Sequence, residues 1–246
     1  MPYTNGTNKM TELTEQELYQ QELRKIVRHR AWGTTTFTDN ILYFPNAIDV
    51  RLCPKNGMSS LKVALMRVLG REGDKFDLLQ VGTKRDRIEE IGKFGDRDIL
   101  PFRKGAYRVA VVRDPVERFL SACEYIKSGN HEGEDPRKTS DVCELPDSLD
   151  EVIDGVWSGE IYNTHFFRQV DFMGNRAQYN RIFPMSKFGN VLAFLGARAG
   201  VDLSMIHKNE TAPVHYGPKS ALTENQLHGI MRIYREDYNY GWTEEA

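Results

Sequence analysis

The chain has few cysteines, no long apolar run and almost no net charge, and each shortage narrows the classes of protein it can represent. Its three cysteines, Cys53, Cys123 and Cys143, are too few and too scattered for a disulfide framework or a zinc site. No stretch approaches the roughly 20 apolar residues that a membrane-spanning helix requires. A formal net charge of -2 gives no global electrostatic argument for nucleic acid or an anionic membrane as partner. Any anion site must therefore be local.

The amino terminus shows no targeting pattern. Its first ten residues, MPYTNGTNKM, are polar and lack the apolar core of a signal peptide. We therefore expect a cytoplasmic protein with mostly reduced thiols, and pattern alone leaves a Cys123–Cys143 disulfide open. The length of 246 residues and the charged fraction of 28% are ordinary for a globular chain. We predict an extension with a surface helix over residues 1–30 and a single domain over residues 31–246.

Short apolar runs alternate with helical patterns along the chain. The run RVAVV at residues 108–112 lacks polar alternation, as expected of an interior strand in a parallel sheet. Pro115 follows it closely, and proline is typical of a first helical turn. This order predicts an α/β domain with a central, mainly parallel sheet flanked by helices. The predicted strands cover residues 41–44, 47–53, 108–112 and 181–185, and the predicted helices begin near residues 60, 115, 148, 188 and 223.

The first strand-to-helix junction with chemical character is CPKNGMSSLK, residues 53–62. Such a junction directs backbone N–H groups and the positive end of a helix toward one point. Gly57 permits close backbone approach, Ser59 and Ser60 add hydroxyl donors, and Lys55 adds a mobile positive charge. Together these groups suit a tetrahedral anion. A plain turn with an exposed lysine is the alternative interpretation.

This loop differs from the phosphate loop of nucleotide triphosphatases. The Walker pattern runs from a glycine through four residues to a Gly-Lys-Ser/Thr triplet. Here Lys55 precedes Gly57, and the hydroxyl that would follow the lysine to hold magnesium is missing. The difference disfavours a magnesium-dependent ATPase or kinase. A P-loop-like kinase or hydrolase is kept as a second hypothesis, and a catalytically inactive nucleotide-binding module as a third.

A second junction, VVRDPVERFLSA at residues 111–122, has Arg113 at the strand's end and Ser121 on the new helix. In a parallel sheet both junctions open at the carboxyl ends of the strands, where ligands bind. One ligand could then place a phosphate-like group in the first loop and a second phosphate against Arg113 and Ser121. The alternative is a structural ion-pair cluster, and we expect Asp114 and Arg118 to pair at the i, i+4 spacing.

The two junctions resemble the paired phosphosulfate and 3′-phosphate loops of sulfotransferases that use PAPS (3′-phosphoadenosine-5′-phosphosulfate). The closer likeness is to the Golgi-type carbohydrate sulfotransferases. Residues 163–169, NTHFFRQ, resemble that family's N-x-H…Q segment. The likeness runs from about Val50 to Trp242, and it includes the segments 181–200, 207–211 and 222–242.

The resemblance implies a P-loop-NTPase-like three-layer fold and transfer of a sulfuryl group from PAPS to a hydroxyl acceptor, with a carbohydrate as one candidate. It implies no metal, whereas the near-zero net charge and the lack of a long apolar run are our reasons to expect no nucleic-acid partner and no stable membrane insertion. Golgi-type members have a membrane anchor and disulfides that this chain does not display, so a Golgi location is expected only of a trimmed catalytic domain. The implied phosphosulfate loop comprises Lys55, Asn56, Gly57, Met58, Ser59 and Ser60; Arg113 and Ser121 would hold the 3′-phosphate, and residues 207–211 would close over the cofactor.

Two catalytic roles follow from the same resemblance. Lys55 would stabilise the charge that develops on the leaving oxygen, and His165 would act as the general base. A histidine beside Phe166 and Phe167 is also often a packed core residue, so the structural alternative stays open. His207 is the second candidate for the base, and a carboxylate such as Glu124 is the third.

Overall fold

The computed structural model describes residues 41–70, 102–128, 144–161, 163–206 and 214–244. Four strands in these ranges form one sheet in the order β1-β2-β3-β4. β1 is antiparallel to β2, whereas β2, β3 and β4 are parallel. The predicted mainly parallel α/β sheet is confirmed. The strands are β1 (Ile41–Phe44), β2 (Ile48–Arg51), β3 (Tyr107–Val112) and β4 (Arg181–Pro184).

The antiparallel edge arises from a tight turn between β1 and β2. Asn46 and Ala47 both have positive φ angles, 58° and 54°, as in the hairpin turns whose twist matches that of the flanking strands. β2 is shorter than predicted, because Leu52 and Cys53 leave the sheet and enter the junction loop. The predicted extension over residues 1–30 lies outside the described residues.

Helices flank the sheet, and the described ones begin close to their predicted positions. The helix α2 has proline as its first residue and Asp114 as its cap, whose carboxylate accepts the Glu117 N–H. No helix in the described ranges has both the length and the apolar composition needed to cross a bilayer. The helices are α1 (Met58–Val68), α2 (Pro115–Lys127), α3 (Leu149–Ser158), α4 (Gln169–Met173), α5 (Phe188–Ala199), α6 (Glu224–Ile233) and α7 (Arg235–Asn239).

Side chains of β3 alternate between the two faces of the sheet, as the strand repeat requires. Val109 and Val111 are buried in a hydrophobic cluster with residues of α1 and α5. Ala110 and Val112 belong to a different cluster, which includes residues of α4 and the fully buried Trp242. Helices α2, α3 and α6 share a third cluster. The sheet therefore lies between helical layers, and the carboxyl ends of its parallel strands carry both junctions.

The segment 214–219 is fastened to both ends of α2. The buried Glu124 carboxylate accepts hydrogen bonds from the backbone N–H groups of His215 and Tyr216, each at 2.9 Å, and lies 2.8 Å from His215 Nδ1. At the other end, Lys219 Nζ lies 2.9 Å from the Asp114 carboxylate. Burial raises the pKa of Glu124, but the hydrogen bonds from Tyr216 and His215 outweigh it, so this pKa lies below its ordinary value.

The lowered pKa predicts a contribution of Glu124 to acid sensitivity. A carboxyl group with a lowered folded-state pKa stabilises the fold above its unfolded pKa of about 4.5. This contribution is lost as pH falls through the folded value. We expect Glu124→Gln to lower the free energy of unfolding by about 1–3 kcal/mol at neutral pH, and the deficit to shrink at about pH 3. Urea unfolding at both pH values measures this difference in the free energy of unfolding.

Glu160, on the surface after α3, provides the matched control for this experiment. Its side chain is exposed, so Glu160→Gln should stay within about 0.5 kcal/mol of the wild type at both pH values. A Glu124→Gln deficit that is the same at acidic and neutral pH would contradict the assignment.

Candidate functional site

The first junction is a tight loop between β2 and α1. Lys55 and Gly57 both adopt left-handed backbone angles, with φ of 68° and 75°. The Asn56 N–H donates to the Cys53 carbonyl at 3.1 Å and closes the turn. Gly57 is the N-cap residue of α1 and has no side chain with which to cap it. The positive end of an eleven-residue helix therefore meets this loop.

Gly57 is required by packing as well as by its backbone angle. A Cβ atom at this position would lie 2.6 Å from Phe188 Cε2 and 3.2 Å from Met185 Sδ. Both neighbours belong to the segment that follows β4. Packing is thus a structural reason for glycine here, because the loop rests directly against the start of α5, and the close approach of an anion stays a prediction.

The structure brings the two junctions into direct contact. Arg113 lies at the end of β3, and its Nη1 donates to the Lys55 carbonyl oxygen at 3.1 Å. Its nearest carboxylate is that of Glu117, 3.8 Å from Nε on the next helical turn. Burial lowers the pKa of the Arg113 guanidinium, and Glu117 opposes this effect; an arginine stays charged at neutral pH. A fixed positive charge thus stands beside the loop.

The buried amide of Gln169 joins the loop, the end of β3 and the carboxyl-terminal segment. Its Oε1 accepts hydrogen bonds from Asn56 Nδ2 at 2.7 Å and from the Arg113 N–H at 3.0 Å. Its Nε2 donates to the carbonyl oxygens of Arg113 at 2.9 Å and Trp242 at 2.8 Å. Sequence reasoning assigned Gln169 no role of its own, and its position at the end of the N-x-H…Q segment was the available signal.

The Asn56 side chain has a structural role in the loop. The side chain is buried, and its Nδ2 donates to the Val111 carbonyl at 2.8 Å as well as to Gln169. The carboxamide therefore holds the loop to the sheet. The Asn56 backbone N–H is engaged as well, because it donates to the Cys53 carbonyl.

Arg118 lies beneath the loop, although the sequence predicted an ion pair between this residue and Asp114. The expected Asp114–Arg118 ion pair is wrong, because Asp114 caps α2 and pairs with Lys219. Arg118 is fully buried instead, and its Nε donates to the Pro54 carbonyl at 3.1 Å. Burial raises the pKa of the neighbouring Cys53 thiol to about 12, so this cysteine stays protonated. The Arg118 guanidinium supports the loop from below.

Asp237, on α7, holds Gln169 in place from the other side. Its carboxylate accepts the backbone N–H groups of Gln169 and Val170 at 2.9 and 2.8 Å. Burial raises the pKa of Asp237 to about 6, although these hydrogen bonds and the nearby Arg118 act in the opposite direction. The start of α4 is thereby anchored to α7.

The two predicted catalytic residues meet at one aromatic ring. Lys55 Nζ lies 4.0 Å from the centre of the Tyr125 ring, and the ring of His165 lies 4.7 Å from it, centre to centre. Asn163 Oδ1 accepts the His165 backbone N–H at 2.9 Å and lies 2.8 Å from His165 Nδ1. Sequence reasoning missed Tyr125, because nothing in its local pattern separates it from the core aromatics.

The remaining predicted residues lie around this centre. Ser121 is half-buried on α2, and the four-residue spacing places it between Glu117 and Tyr125 along one face. In the first turn of α1, Met58 is half-buried, Ser59 is exposed and Ser60 is buried. Glu124 is engaged with His215 and Tyr216, as described above. His207, the loop 207–211 and Cys143 lie outside the described residues.

The Gln169 amide predicts a large loss of stability when it is removed. Gln169→Ala leaves the Arg113 N–H and the Arg113 and Trp242 carbonyls without this partner, and an unpaired buried polar group costs about 1–3 kcal/mol. We expect the free energy of unfolding to fall by about 3–5 kcal/mol, measured by urea denaturation. Gln178→Ala removes the hydrogen bond that a half-buried glutamine donates to the Met173 carbonyl and should cost about 1 kcal/mol. Equal losses in the two variants would contradict the central role of Gln169.

Comparison of the chain with protein-family models, with curated proteins and with solved structures finds no match. The functional interpretation therefore depends on the residues themselves and on the geometry of the edge where the two junctions meet. The sulfotransferase resemblance is carried by its motifs alone.

Proposed function

We propose that this chain is a PAPS-dependent sulfotransferase with a P-loop-NTPase-like fold, which transfers a sulfuryl group to a hydroxyl acceptor, with a carbohydrate as the candidate acceptor. The hydrogen bond from Arg113 Nη1 to the Lys55 carbonyl carries the proposal, because it joins the two junctions to which we assign anion binding at one edge of the sheet. A ligand with phosphate groups at both ends of a ribose requires such a pair.

The residues present fit an anionic ligand. The uncapped start of α1 offers the positive end of a helix, and Arg113 adds a guanidinium suited to a phosphate. Ser121 adds a hydroxyl on the adjacent helix. In our proposal the loop Lys55–Ser60 holds the 5′-phosphosulfate through the backbone N–H groups at the start of α1, and Arg113 with Ser121 holds the 3′-phosphate. PAPS, when bound, supplies the electrophilic sulfuryl group and a bisphosphate leaving group.

Lys55 takes the part that a metal ion has in many phosphoryl transfers. A sulfuryl group carries less negative charge than a phosphoryl group, so an ammonium and backbone donors suffice in our proposal. As the sulfur–oxygen bond to the leaving group breaks, its electron pair stays on the departing oxygen. The Lys55 ammonium neutralises the charge that develops there.

His165 is the residue that we propose as general base. Asn163 Oδ1 already accepts the His165 backbone N–H, which identifies this atom as an acceptor. The neutral imidazole therefore carries its proton on Nδ1, beside that oxygen, and has its lone pair on Nε2. Nε2 takes the hydroxyl proton while the acceptor oxygen forms its bond to sulfur. Glu124 suits this role less, because its oxygens accept hydrogen bonds from His215 and Tyr216.

The proposal predicts metal-independent binding of adenosine 3′,5′-bisphosphate. At 100 times its Kd this nucleotide should stabilise the fold by about 2.7 kcal/mol, which raises Tm by about 5 °C, with EDTA present. Arg113→Ala should remove most of the shift. Arg181→Ala, at the opposite end of the parallel strands, is the matched control and should retain it. A shift with ATP and magnesium, and none with the bisphosphate, would favour a kinase or nucleotide hydrolase instead.

The proposal also predicts which side chains support transfer. With mass-tagged PAPS and a panel of saccharide acceptors, His165→Ala should lower kcat by about 10²–10⁴, and Lys55→Ala by about 10²–10³. His228→Ala removes an exposed histidine on α6 and should leave kcat unchanged. Binding of the bisphosphate without transfer to any acceptor would favour an inactive binding module. Unchanged transfer in both active-site variants would refute their roles.

A further inference from the structure

Tyr125 contacts both residues to which the proposed mechanism gives catalytic roles. The Lys55 ammonium lies over its ring, 4.0 Å from the centre. The His165 imidazole packs against the same ring, with centres 4.7 Å apart and planes inclined by 35°. One side chain thus touches both groups that the proposed mechanism requires.

The chemistry of an aromatic ring suits both partners. Its face carries negative electrostatic potential, which attracts an ammonium within about 6 Å of the centre. Stacked aromatic rings attract each other at centre separations of about 4.5–7 Å, and the potential also favours an imidazolium after His165 has taken a proton. The ring therefore contacts two groups that would both be positively charged during turnover, and it attracts each of them.

The Tyr125 side chain is half-buried and packs against the hydrophobic cluster that α2, α3 and α6 share. It lies on α2, where the neighbouring Cys123 and Ile126 are buried in a hydrophobic cluster and Glu124 is bonded to His215 and Tyr216. Lys55, by contrast, extends from a loop on a long, flexible side chain. A tyrosine has only two side-chain torsions, so ordering its ring costs little entropy.

We propose that Tyr125 is a positioning residue whose ring holds the Lys55 ammonium and the His165 imidazole at a fixed spacing in the active site. The inference rests on the proposed sulfotransferase function for its effect on turnover. The juxtaposition itself does not depend on that function. Misplacement of a catalytic group by about 1 Å lowers rates by about 10²-fold, which sets the scale of the expected effect.

Two substitutions separate the ring from the hydroxyl group. Tyr125→Phe keeps the ring, so kcat should stay within about threefold of the wild type, whereas Tyr125→Leu removes it and should lower kcat by about 10- to 100-fold. The KM for PAPS should change by less than about threefold in both, because Arg113 and Ser121 are untouched. Tyr240→Leu removes an exposed tyrosine and serves as the matched control. A Tyr125→Leu enzyme with wild-type kcat would overturn the proposal.

A spectroscopic measurement tests the same contact without any assay of transfer. The Tyr125 ring current should displace the His165 Cε1–H resonance, which is assigned by its absence from His165→Ala. This displacement should persist in Tyr125→Phe and disappear in Tyr125→Leu. If the wild type shows no transfer but the displacement is present, the proposed function fails while the ring contact stands. If the displacement is absent from the wild type, the positioning role fails regardless of activity.

A third variant series avoids dependence on the folding of Tyr125→Leu. Phenylalanine analogues with increasing numbers of ring fluorines keep the shape of the side chain and weaken the negative potential of its face. Introduced at position 125, they should lower kcat stepwise as fluorines are added. If kcat does not change as fluorines are added while the ring current is retained, the electrostatic potential of the ring face does not hold Lys55.

Discussion

The hydrogen bonds of the Gln169 amide are the constraint on which the candidate site depends. In a buried environment of low dielectric, each of its polar partners must be paired, because an unpaired group costs more there than in water. The backbone of Arg113 provides both a donor and an acceptor to this amide. Asn56 connects the junction loop to the Gln169 amide, and the Trp242 carbonyl connects the carboxyl-terminal segment to it. These hydrogen bonds therefore fix the relative positions of three segments that are distant in the chain.

Above this network the groups with proposed chemical roles are held differently. Lys55 rests on the Tyr125 ring, and Arg113 donates to a carbonyl oxygen of the loop. These two contacts orient a cation against a ring face and against a neutral carbonyl oxygen. Amide hydrogen bonds that fix the loop, and cations held beside it, suit the anionic co-substrate that we propose.

Sequence periodicity was sufficient to predict the strands, most helix starts and the meeting of Lys55 and Arg113 at one edge of the sheet. The reason is that parallel strands place their carboxyl ends together whatever the details of packing. The arrangement of parallel strands does not determine which partner an individual side chain contacts. Asp114 and Arg118 have ideal spacing for an ion pair, yet burial of Arg118 beneath Pro54 separates them. Asn56, Tyr125 and Gln169 find their partners across long stretches of chain, which local patterns do not specify.

The burial of Trp242 has a consequence for how the protein is made. Its carbonyl oxygen accepts one of the bonds that fix Gln169, and its indole packs against the sheet beside Cys53. During translation the loop at residues 53–58 leaves the ribosome long before Trp242 does. The support of that loop is therefore complete only after the segment around Trp242 has also emerged.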